Sequence, residues 1–206
     1  FGNKVSFITS DVKDQNAHID LVNEAISKAG QLDVYINNAG FSEWRPIGDI
    51  DNNFLDEIIS TNLKGAFWGC KAASRVMKDG ASIINISSIA GKRGSTNNSA
   101  YCATKFGMNG LTQSLAKELG PSGIRVNAVC PVIVETDGLI EALKSPSSPA
   151  YPNPDEFILN FKKSNAALGR LPSGEEIASM CLMLASESAS AVTGQCINVD
   201  CGVFPQ

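Results

Sequence analysis

Tyr101 and Lys105 are the residues whose types and spacing first indicate chemistry. They lie four positions apart in a stretch, 99–119, where apolar and small residues recur at three- and four-residue spacings before Gly120-Pro121. That pattern predicts a helix, and residues four apart on a helix share one face. A cation beside a phenol lowers the phenol's pKa because it favours the phenolate. The spacing therefore predicts a tyrosine that exchanges a proton near neutral pH.

The spacing alone is common, and a solvated helix face would also carry it. Three other segments make the pattern specific. Ser88 follows a short apolar strand, 81–86; the segment 37–40 follows another; and Asn62 lies inside a predicted helix. Together these segments resemble the short-chain dehydrogenase/reductase family, which uses a Ser, Tyr, Lys and Asn set. The resemblance extends from about Asp11 to the C-terminus.

The composition narrows the range of functions. The chain has 206 residues, 43% of them hydrophobic and 18% charged, with a net charge of −4. This describes one globular domain, 1–206, with a sizeable core. Nucleic acid is not an expected partner because no basic run is present. No membrane partner is expected either, because no apolar run approaches the ~18 residues of a spanning helix and no signal pattern opens the chain.

The cysteines and the histidine of this sequence do not form the patterns that disulfides, metal sites or hydrolase triads require. The six cysteines show no Cys-x-x-Cys spacing, so we expect small reduced hydrophobes rather than disulfides or a metal site. The one histidine, His18, lies on a polar stretch of a predicted helix, and we expect it at the solvated surface. A Ser-His-Asp hydrolase or a histidine-rich metal centre therefore has few candidate residues.

Strands and helices alternate along the chain. Apolar runs predict strands, and amphipathic runs predict helices between them. The strands are predicted at 4–9, 32–36, 81–86, 124–129 and 195–199, and the helices at 14–28, 51–78, 98–119 and 175–184. This order predicts an α/β fold, a doubly wound Rossmann domain of three layers with a parallel sheet. Ligands of such sheets bind at the carboxyl ends of the strands, where Asp11, 38–40, Ser88 and Pro131 fall.

The stretch 131–172 departs from this alternation. Pro146, Pro149, Pro152 and Pro154 interrupt a helical pattern. We expect a variable, mobile segment that acts as a substrate loop within the single domain.

The glycine-rich turn that normally opens a dinucleotide-binding fold is missing from this sequence. The chain begins at what resembles the third strand of the family, so we expect an incomplete record of a longer protein. The resemblance implies a nicotinamide cofactor. The residue that separates NAD from NADP belongs to the missing stretch, and both cofactors stay open.

The resemblance assigns a role to each residue of the set. Tyr101 exchanges the proton with the substrate oxygen, and Lys105 lowers its pKa and binds the nicotinamide ribose. Ser88 bonds the substrate oxygen. Asn62 holds a water that links Lys105 to solvent. The structural alternative for Asn62 is a kink in its helix, with its side chain satisfying broken backbone bonds.

The resemblance also implies cofactor contacts. Asp11 and Val12 match the adenine site, although Asp11 could equally cap the helix that begins near Asp14. The turn Asn38-Ala39-Gly40 matches the family turn beside the adenosine ribose. The last group of matched residues follows the strand 124–129 and contacts the nicotinamide side; it comprises Pro131, Val132, Val134 and Thr136.

Two positions depart from the family pattern. Val132 and Cys201 replace the usual glycines, and a β-branched Val132 would resist a positive φ. We therefore expect local distortion at both places.

The leading hypothesis is a cytoplasmic NAD(P)-dependent oxidoreductase, a homo-tetramer or dimer by resemblance, that interconverts a secondary alcohol and a ketone. A sugar alcohol and a 3-oxoacyl compound are both candidate substrates, and the stretch 135–169 follows no rule that decides between them. The alternatives are a non-catalytic member that binds a nucleotide or a protein, and a lyase or epimerase that uses the same tyrosine.

Overall fold

Four parallel strands form the central sheet of the computed structural model, which describes residues 5–205. The strands pair in the order β1, β2, β3, β4 and comprise Val34–Asn37, Ser82–Ile86, Arg125–Pro131 and Cys196–Val199. β1 lies at the edge, and β2 and β3 lie inside the sheet, where almost every residue is buried. Strands buried on both faces have continuous apolar runs, which the sequence shows at these positions.

Helices cover both faces of this sheet. In chain order, α1 to α7 comprise Gln15–Ala29, Asn52–Ile59, Gly65–Ser74, Ser99–Leu119, Asp137–Leu143, Pro154–Asn165 and Gly174–Ala185. One core, around Ile83 and Val126, lies between the sheet and α1, α3 and α4. A second core, around Ile84 and Leu184, lies between the sheet and α7. The predicted three-layer α/β fold is confirmed.

Buried amides tie the strand ends to α4. Asn85 on β2 accepts a hydrogen bond from Asn37 Nδ2 of β1 at 2.9 Å and donates one to Thr112 Oγ1 of α4 at 2.9 Å. Asn85 and Thr112 are fully buried. A buried polar chain of this kind requires all its partners, so it fixes β1, β2 and α4 relative to one another.

The predicted strand at 4–9 is not a strand in the structure. Lys4 lies outside the described residues, and residues 5–10 are irregular, with Phe7 92% exposed. The alternating pattern alone does not make a strand, because its backbone groups need a neighbouring strand to bond with. No described strand lies beside this segment.

His18 is buried, which corrects the prediction of a surface residue. It is 3% exposed, with Nδ1 2.9 Å from Tyr35 Oη and Nε2 2.9 Å from the Val12 carbonyl oxygen. α1 turns its Val22 side toward the sheet, and His18 lies one turn earlier on that side. Both ring nitrogens therefore have partners inside the fold.

Asp14, rather than Asp11, caps α1. Asp14 Oδ1 accepts a hydrogen bond from Asn16 N at 2.8 Å, the usual capping contact. Asp11 Oδ1 instead accepts from Lys13 N at 2.9 Å in the preceding turn. The capping alternative for Asp11 is therefore wrong.

The proline-rich stretch 131–172 forms two helices, α5 and α6. Thr136 caps α5, and Asn153 caps α6, with Pro154 at the first helical position. The two helices share a small core around Leu143 and Ile158. Pro154 thus begins a helix, and Pro146, Pro149 and Pro152 lie in the connection between α5 and α6.

Val132 and Cys201 stand where the family usually has glycine, and only Cys201 has an unusual backbone conformation. Val132 is not among the non-glycine residues with positive φ, so the expected conflict at this position is wrong. Cys201 has φ 54°, in the left-handed region that glycine tolerates best.

We expect Cys201→Gly to raise the free energy of unfolding by about 0.5–1 kcal/mol, because relief of the left-handed strain exceeds the entropy that glycine adds to the unfolded chain. Urea unfolding measures the change. Gly202→Ala is the control with the opposite sign, since its φ is 80° and its new methyl would lie 2.6 Å from Ala167 Cβ. A less stable Cys201→Gly would show that the thiol makes contacts worth more than the strain.

Candidate active site

A cleft of about 780 Å³ opens at the carboxyl ends of the strands. The residues that line it come from the ends of β1, β2 and β3 and from α4. The sequence-predicted residues that line it are Asn38, Gly40, Ser88, Tyr101, Lys105, Pro131, Val132, Val134 and Thr136. Parallel strands bring their carboxyl ends to one edge, which is why residues from distant parts of the chain meet here.

Ser88 lies just past the end of β2. Its Oγ accepts a hydrogen bond from Ala90 N at 3.1 Å and lies 3.4 Å from the Pro131 carbonyl oxygen, to which it can donate. Ser88 also acts on the Tyr101 phenol, since an interaction with its side chain lowers the pKa of the phenol. The structure therefore brings Ser88 and Tyr101 together, as the sequence predicts.

The segment after β2 lies directly against α4. Gly91 is the residue of closest approach, since a Cβ there would lie 2.6 Å from the Lys105 carbonyl oxygen. Asn109 Nδ2 donates to the Gly91 carbonyl at 3.0 Å, and Ser87 Oγ donates to the Lys105 carbonyl at 3.3 Å. Any side chain at position 91 would push the helix away from the strand end.

Lys105 is buried, with 4% of its surface exposed. Its Nζ donates to the Ile86 carbonyl oxygen at 2.7 Å and lies 5.6 Å from the centre of the Tyr101 ring. Burial lowers the pKa of Lys105 to about 8, because the apolar surroundings disfavour the ammonium.

The pKa of Tyr101 moves opposite to the sequence-based prediction. Tyr101 keeps part of its surface open to the cleft, yet protein atoms surround its phenol closely, and this burial raises its pKa to about 12. The interaction with Ser88 lowers the pKa of the phenol, and it is the smaller of the two effects. Lys105 directs its ammonium to Ile86 rather than to the phenol, so the neutral phenol is the favoured form.

Asn62 lies in a turn of π-helix, Ser60–Lys64, that joins α2 and α3. Gly65 N bonds to the Ser60 carbonyl across the turn. The fully buried Asn62 side chain accepts from Phe41 N at 2.9 Å and donates to the Phe41 carbonyl at 2.8 Å. The helix is irregular at Asn62, as the structural alternative predicts. However, the Asn62 side chain bonds to backbone groups of the loop after β1 and not to backbone groups of its own helix.

Gly40 places Asn62 and Lys105 at one point of the cleft. A Cβ on Gly40 would lie 3.0 Å from Asn62 Oδ1 and 3.9 Å from Lys105 Nζ. The turn after β1, the π-helical turn and α4 therefore converge here.

Besides Asn62, three predicted residues do not line the cleft. Asp11 and Ala39 are exposed, and Val12 is half-buried beside α3, where a Cβ on Gly65 would lie 3.0 Å from the Val12 carbonyl oxygen. The structure leaves these residues outside the cluster of Ser88, Tyr101 and Lys105.

The apolar wall of the cleft was missed by sequence reasoning. It comes from the loop after β1 and from α5 and α6, and it consists of Trp44, Leu139, Leu143, Phe157 and Phe161. The ring centres of Phe157 and Phe161 are 5.8 Å apart. Their four-residue spacing after Pro154 was an available signal for a helix with an aromatic face.

The rim of the cleft is held by Asn97, another residue that the sequence did not single out. Asn97 has φ 55°, its carbonyl accepts from Arg45 N at 2.7 Å, and its Nδ2 donates to the Ser147 carbonyl at 3.1 Å. Asparagine tolerates this left-handed conformation better than other residues with a side chain. One residue thus joins the loop after β1 to the segment between α5 and α6.

A family model described as enoyl-(acyl carrier protein) reductase matches residues 1–204. The chain is 39% identical over 206 residues to L-2,3-butanediol dehydrogenase of Corynebacterium glutamicum, covering 98% of this chain and 79% of that protein. The chain belongs to the short-chain dehydrogenase/reductase family. Members of this family are NAD(P)-dependent oxidoreductases that act on alcohols and ketones.

Two further relatives agree with this assignment. Diacetyl reductase [(S)-acetoin forming] of Staphylococcus aureus is 33% identical over 197 residues, which cover 94% of this chain and 76% of the relative. The structure of aldohexose dehydrogenase from Thermoplasma acidophilum superposes with a TM-score of 0.88 at 29% identity, covering 98% of this chain and 82% of that chain. Each belongs to the oxidoreductase class that the sequence predicts.

Within residues 5–205, His, Cys, Asp and Glu side chains form no group of three or more that could hold a metal ion. None of the helices in that range is both long and apolar enough to cross a membrane.

We expect the buried ammonium of Lys105 to make stability depend on pH. Between pH values of about 8 and 10.5 the unfolded lysine binds a proton that the folded one has lost, so this contribution to stability rises with pH. The substitution Lys105→Met removes the titrating ammonium and with it this pH-dependent contribution to stability. The stability of the wild type relative to Lys105→Met should therefore increase by about 1–2 kcal/mol from roughly pH 7 to roughly pH 9.5.

Urea unfolding of both proteins at the two pH values measures this difference. The buried cysteines contribute the opposite slope, but equally to both proteins, and the difference removes them. A difference that stayed constant with pH would show that Lys105 remains charged in the folded protein.

Proposed function

We propose that this protein interconverts a secondary alcohol and a ketone, with Tyr101 exchanging the proton. The observation that carries the proposal is that Ser88, Tyr101 and Lys105 line one cleft, where Ser88 also influences the pKa of the Tyr101 phenol. A carbonyl oxygen that accepts hydrogen bonds from both hydroxyls would be polarised and ready for reduction.

The cleft suits a nicotinamide cofactor in addition to a small substrate. Its volume of about 780 Å³ extends from the turn at Asn38 and Gly40 to the segment ending at Thr136. Pockets for drug-sized ligands span about 300–1,000 Å³. The cofactor, when bound, accepts or supplies the hydride.

Tyr101 acts as the acid in ketone reduction. Because burial raises its pKa to about 12, it holds its proton at neutral pH and can donate it to the oxygen that gains negative charge. The carbonyl carbon gains a hydride and its oxygen gains the phenol proton, so the ketone becomes an alcohol while NAD(P)H becomes NAD(P)⁺. The phenolate is then reprotonated from solvent.

Lys105 and Asn62 support that reprotonation. Lys105 has a pKa of about 8, close to the working range of a proton donor at neutral pH. It also supplies donors for the hydroxyls of the cofactor ribose. Asn62, 3.4 Å from Thr104 Oγ1 and close to Lys105 through Gly40, holds the water that continues the path to solvent.

The remaining cofactor contacts follow from the family resemblance. Asn38, Ala39 and Gly40 would contact the adenosine ribose, and Asp11 and Val12 would hold the adenine. The segment after β3 contacts the carboxamide and phosphates through Pro131, Val132, Val134 and Thr136. Asp11, Val12 and Ala39 would extend the cofactor site beyond the cleft, because the three residues do not line it.

The wall of the cleft favours a substrate with apolar substituents. Leu139, Phe157 and Phe161 have no hydrogen-bonding side-chain atoms, and Trp44 has a single donor, its indole N–H. A polyol would leave several hydroxyls without partners, and each unpaired group costs about 1–3 kcal/mol. Ketones with alkyl groups, including 3-oxoacyl compounds, therefore suit this segment, 131–172, better than sugar alcohols do.

We also propose an oligomer, a tetramer or a dimer, formed through α3 and α4. Phe67 on α3 and Phe106 on α4 are 47% and 48% exposed. These neighbouring helices contact each other, so their phenyl rings offer one apolar face. The unpaired cysteines suit a reducing compartment, which supports the cytoplasm as location.

Tyr101→Phe is expected to lower kcat for ketone reduction about 10²–10⁴-fold, because it removes the proton donor. Binding of NADH or NADPH, followed by nicotinamide fluorescence, should stay within about threefold of the wild type, since a factor of three is under 1 kcal/mol. Tyr151→Phe, at an exposed position outside the cleft, is the matched control. Near-normal turnover of Tyr101→Phe would refute the mechanism.

Phe67→Asp is expected to shift the protein to smaller assemblies, because a carboxylate in the apolar face opposes association. Light scattering coupled to size-exclusion chromatography measures the mass. Leu159→Asp provides a control on a different helix, where Leu159 is 50% exposed. An unchanged mass for Phe67→Asp would place the interface elsewhere.

A further inference from the structure

His18 is a buried polar side chain that the proposed mechanism does not use. Its ring joins two parts of the fold, since Nδ1 lies 2.9 Å from Tyr35 Oη on β1 and Nε2 lies 2.9 Å from the carbonyl oxygen of Val12, before α1. An apolar side chain packs on the same face of α1 one turn later, at Val22, and makes no such bonds. The two contacts of His18 therefore call for an explanation beyond packing.

The partners of His18 determine which ring nitrogen carries the hydrogen. A carbonyl oxygen only accepts, so Nε2–H donates to Val12. Burial raises the pKa of Tyr35 to about 12, so the phenol keeps its proton and can donate it to Nδ1. The imidazole thus connects a donor on the sheet to an acceptor before α1, and its orientation is fixed from both sides.

The segment that His18 holds, residues 11–13, is largely exposed. Val12 lies against α3, where a Cβ on Gly65 would be 3.0 Å from the Val12 carbonyl oxygen. Lys13 Nζ donates to Glu57 of α2 at 2.9 Å, but these side chains are 37% and 52% exposed, and exposed ion pairs contribute little to stability. His18 therefore provides the link between this surface segment and the buried part of the fold.

We propose that His18 is a positioning residue for the adenine end of the cofactor: it holds Val12, and with it Asp11, where the two would contact the adenine. This inference rests on the proposed function, which assigns the adenine to these residues. A segment ordered before binding loses less conformational entropy when the ligand arrives, so the histidine raises affinity for the adenosine half of the dinucleotide. His18 does not line the cleft of Ser88 and Tyr101, and it acts on binding and not on proton transfer.

The test separates the two halves of the cofactor. The ligands are NADH and NADPH; ADP-ribose with and without a 2′-phosphate, which lacks the nicotinamide; and reduced nicotinamide mononucleotide, which lacks the adenosine. Nicotinamide fluorescence and titration calorimetry give Kd for each.

The variant His18→Phe keeps a ring but has no polar atom. We expect Kd to rise about 5–20-fold for the dinucleotide and for ADP-ribose, as loss of the bonds that hold the segment predicts. Kd for the mononucleotide should change by less than about twofold, and kcat for ketone reduction at saturating cofactor by less than about threefold.

Three further variants separate positioning from a general effect on the fold. Val22→Ala removes buried methyl groups from the same face of α1 and lowers stability, but it keeps both bonds of His18, so Kd should stay within about twofold. His18→Gln keeps a donor and an acceptor on one side chain and should recover most of the affinity. Tyr35→Phe removes one oxygen atom and should weaken binding of the same ligands to a smaller extent. Thermal unfolding reports the stability of each variant.

Each outcome has a distinct meaning. Equal loss of affinity for all ligands in His18→Phe, or the same loss in Val22→Ala, would show a general effect on the fold and overturn the assignment. Unchanged affinity for the dinucleotide and ADP-ribose would overturn it as well. If His18→Phe does not fold, Tyr35→Phe decides the question by the same comparison of ligands. A wild type that binds neither NADH nor NADPH contradicts the proposed function itself, and this inference with it.

Discussion

The position of Lys105 is the constraint on which the rest of the site depends. An ammonium removed from water is destabilising by several kcal/mol unless it finds strong partners. Lys105 meets this requirement at the end of β2, where its Nζ donates to Ile86 and its own carbonyl accepts from Ser87. Lys105 therefore holds α4 to the end of β2 through its side chain and through its backbone carbonyl. Tyr101, one turn earlier, has its place set by that attachment.

The surrounding chain is adapted to this close approach. Gly91 lets the segment after β2 touch the helix, and Asn85 bonds across to Thr112 further along it. Ser88 lies between these contacts, within reach of Tyr101. Ser88 and the Lys105 ammonium are each held by hydrogen bonds to the backbone, so the attachment of α4 to the strand end determines where Tyr101 lies relative to both.

Local pattern was enough to predict the layers of the fold and the meeting of distant residues at one edge. The strands at Ser82–Ile86 and Arg125–Pro131 are buried on both faces, so their composition indicates a parallel sheet directly. Tyr101, Lys105 and Ser88 could be brought together because the carboxyl ends of parallel strands coincide. These inferences need only periodicity and topology.

Other features depend on contacts that no local pattern contains. His18 looked like a surface residue because its partner, Tyr35, is remote in sequence. The pKa of Tyr101 depends on the balance between burial and a nearby cation, and spacing reveals only the cation. Asn98 resembles an ordinary helix cap until its φ and its partners are known. In each case the deciding quantity is three-dimensional.

The bridge at Asn97 has a consequence for how the cleft admits its ligands. Because Asn97 bonds to Arg45 and to Ser147, the protein itself holds the two sides of the rim together. The conformational entropy of these loops is lost during folding and not during binding, which raises affinity for molecules that match the preformed shape. The same rigidity limits tolerance, since a bulkier molecule would have to break the bridge before it could enter.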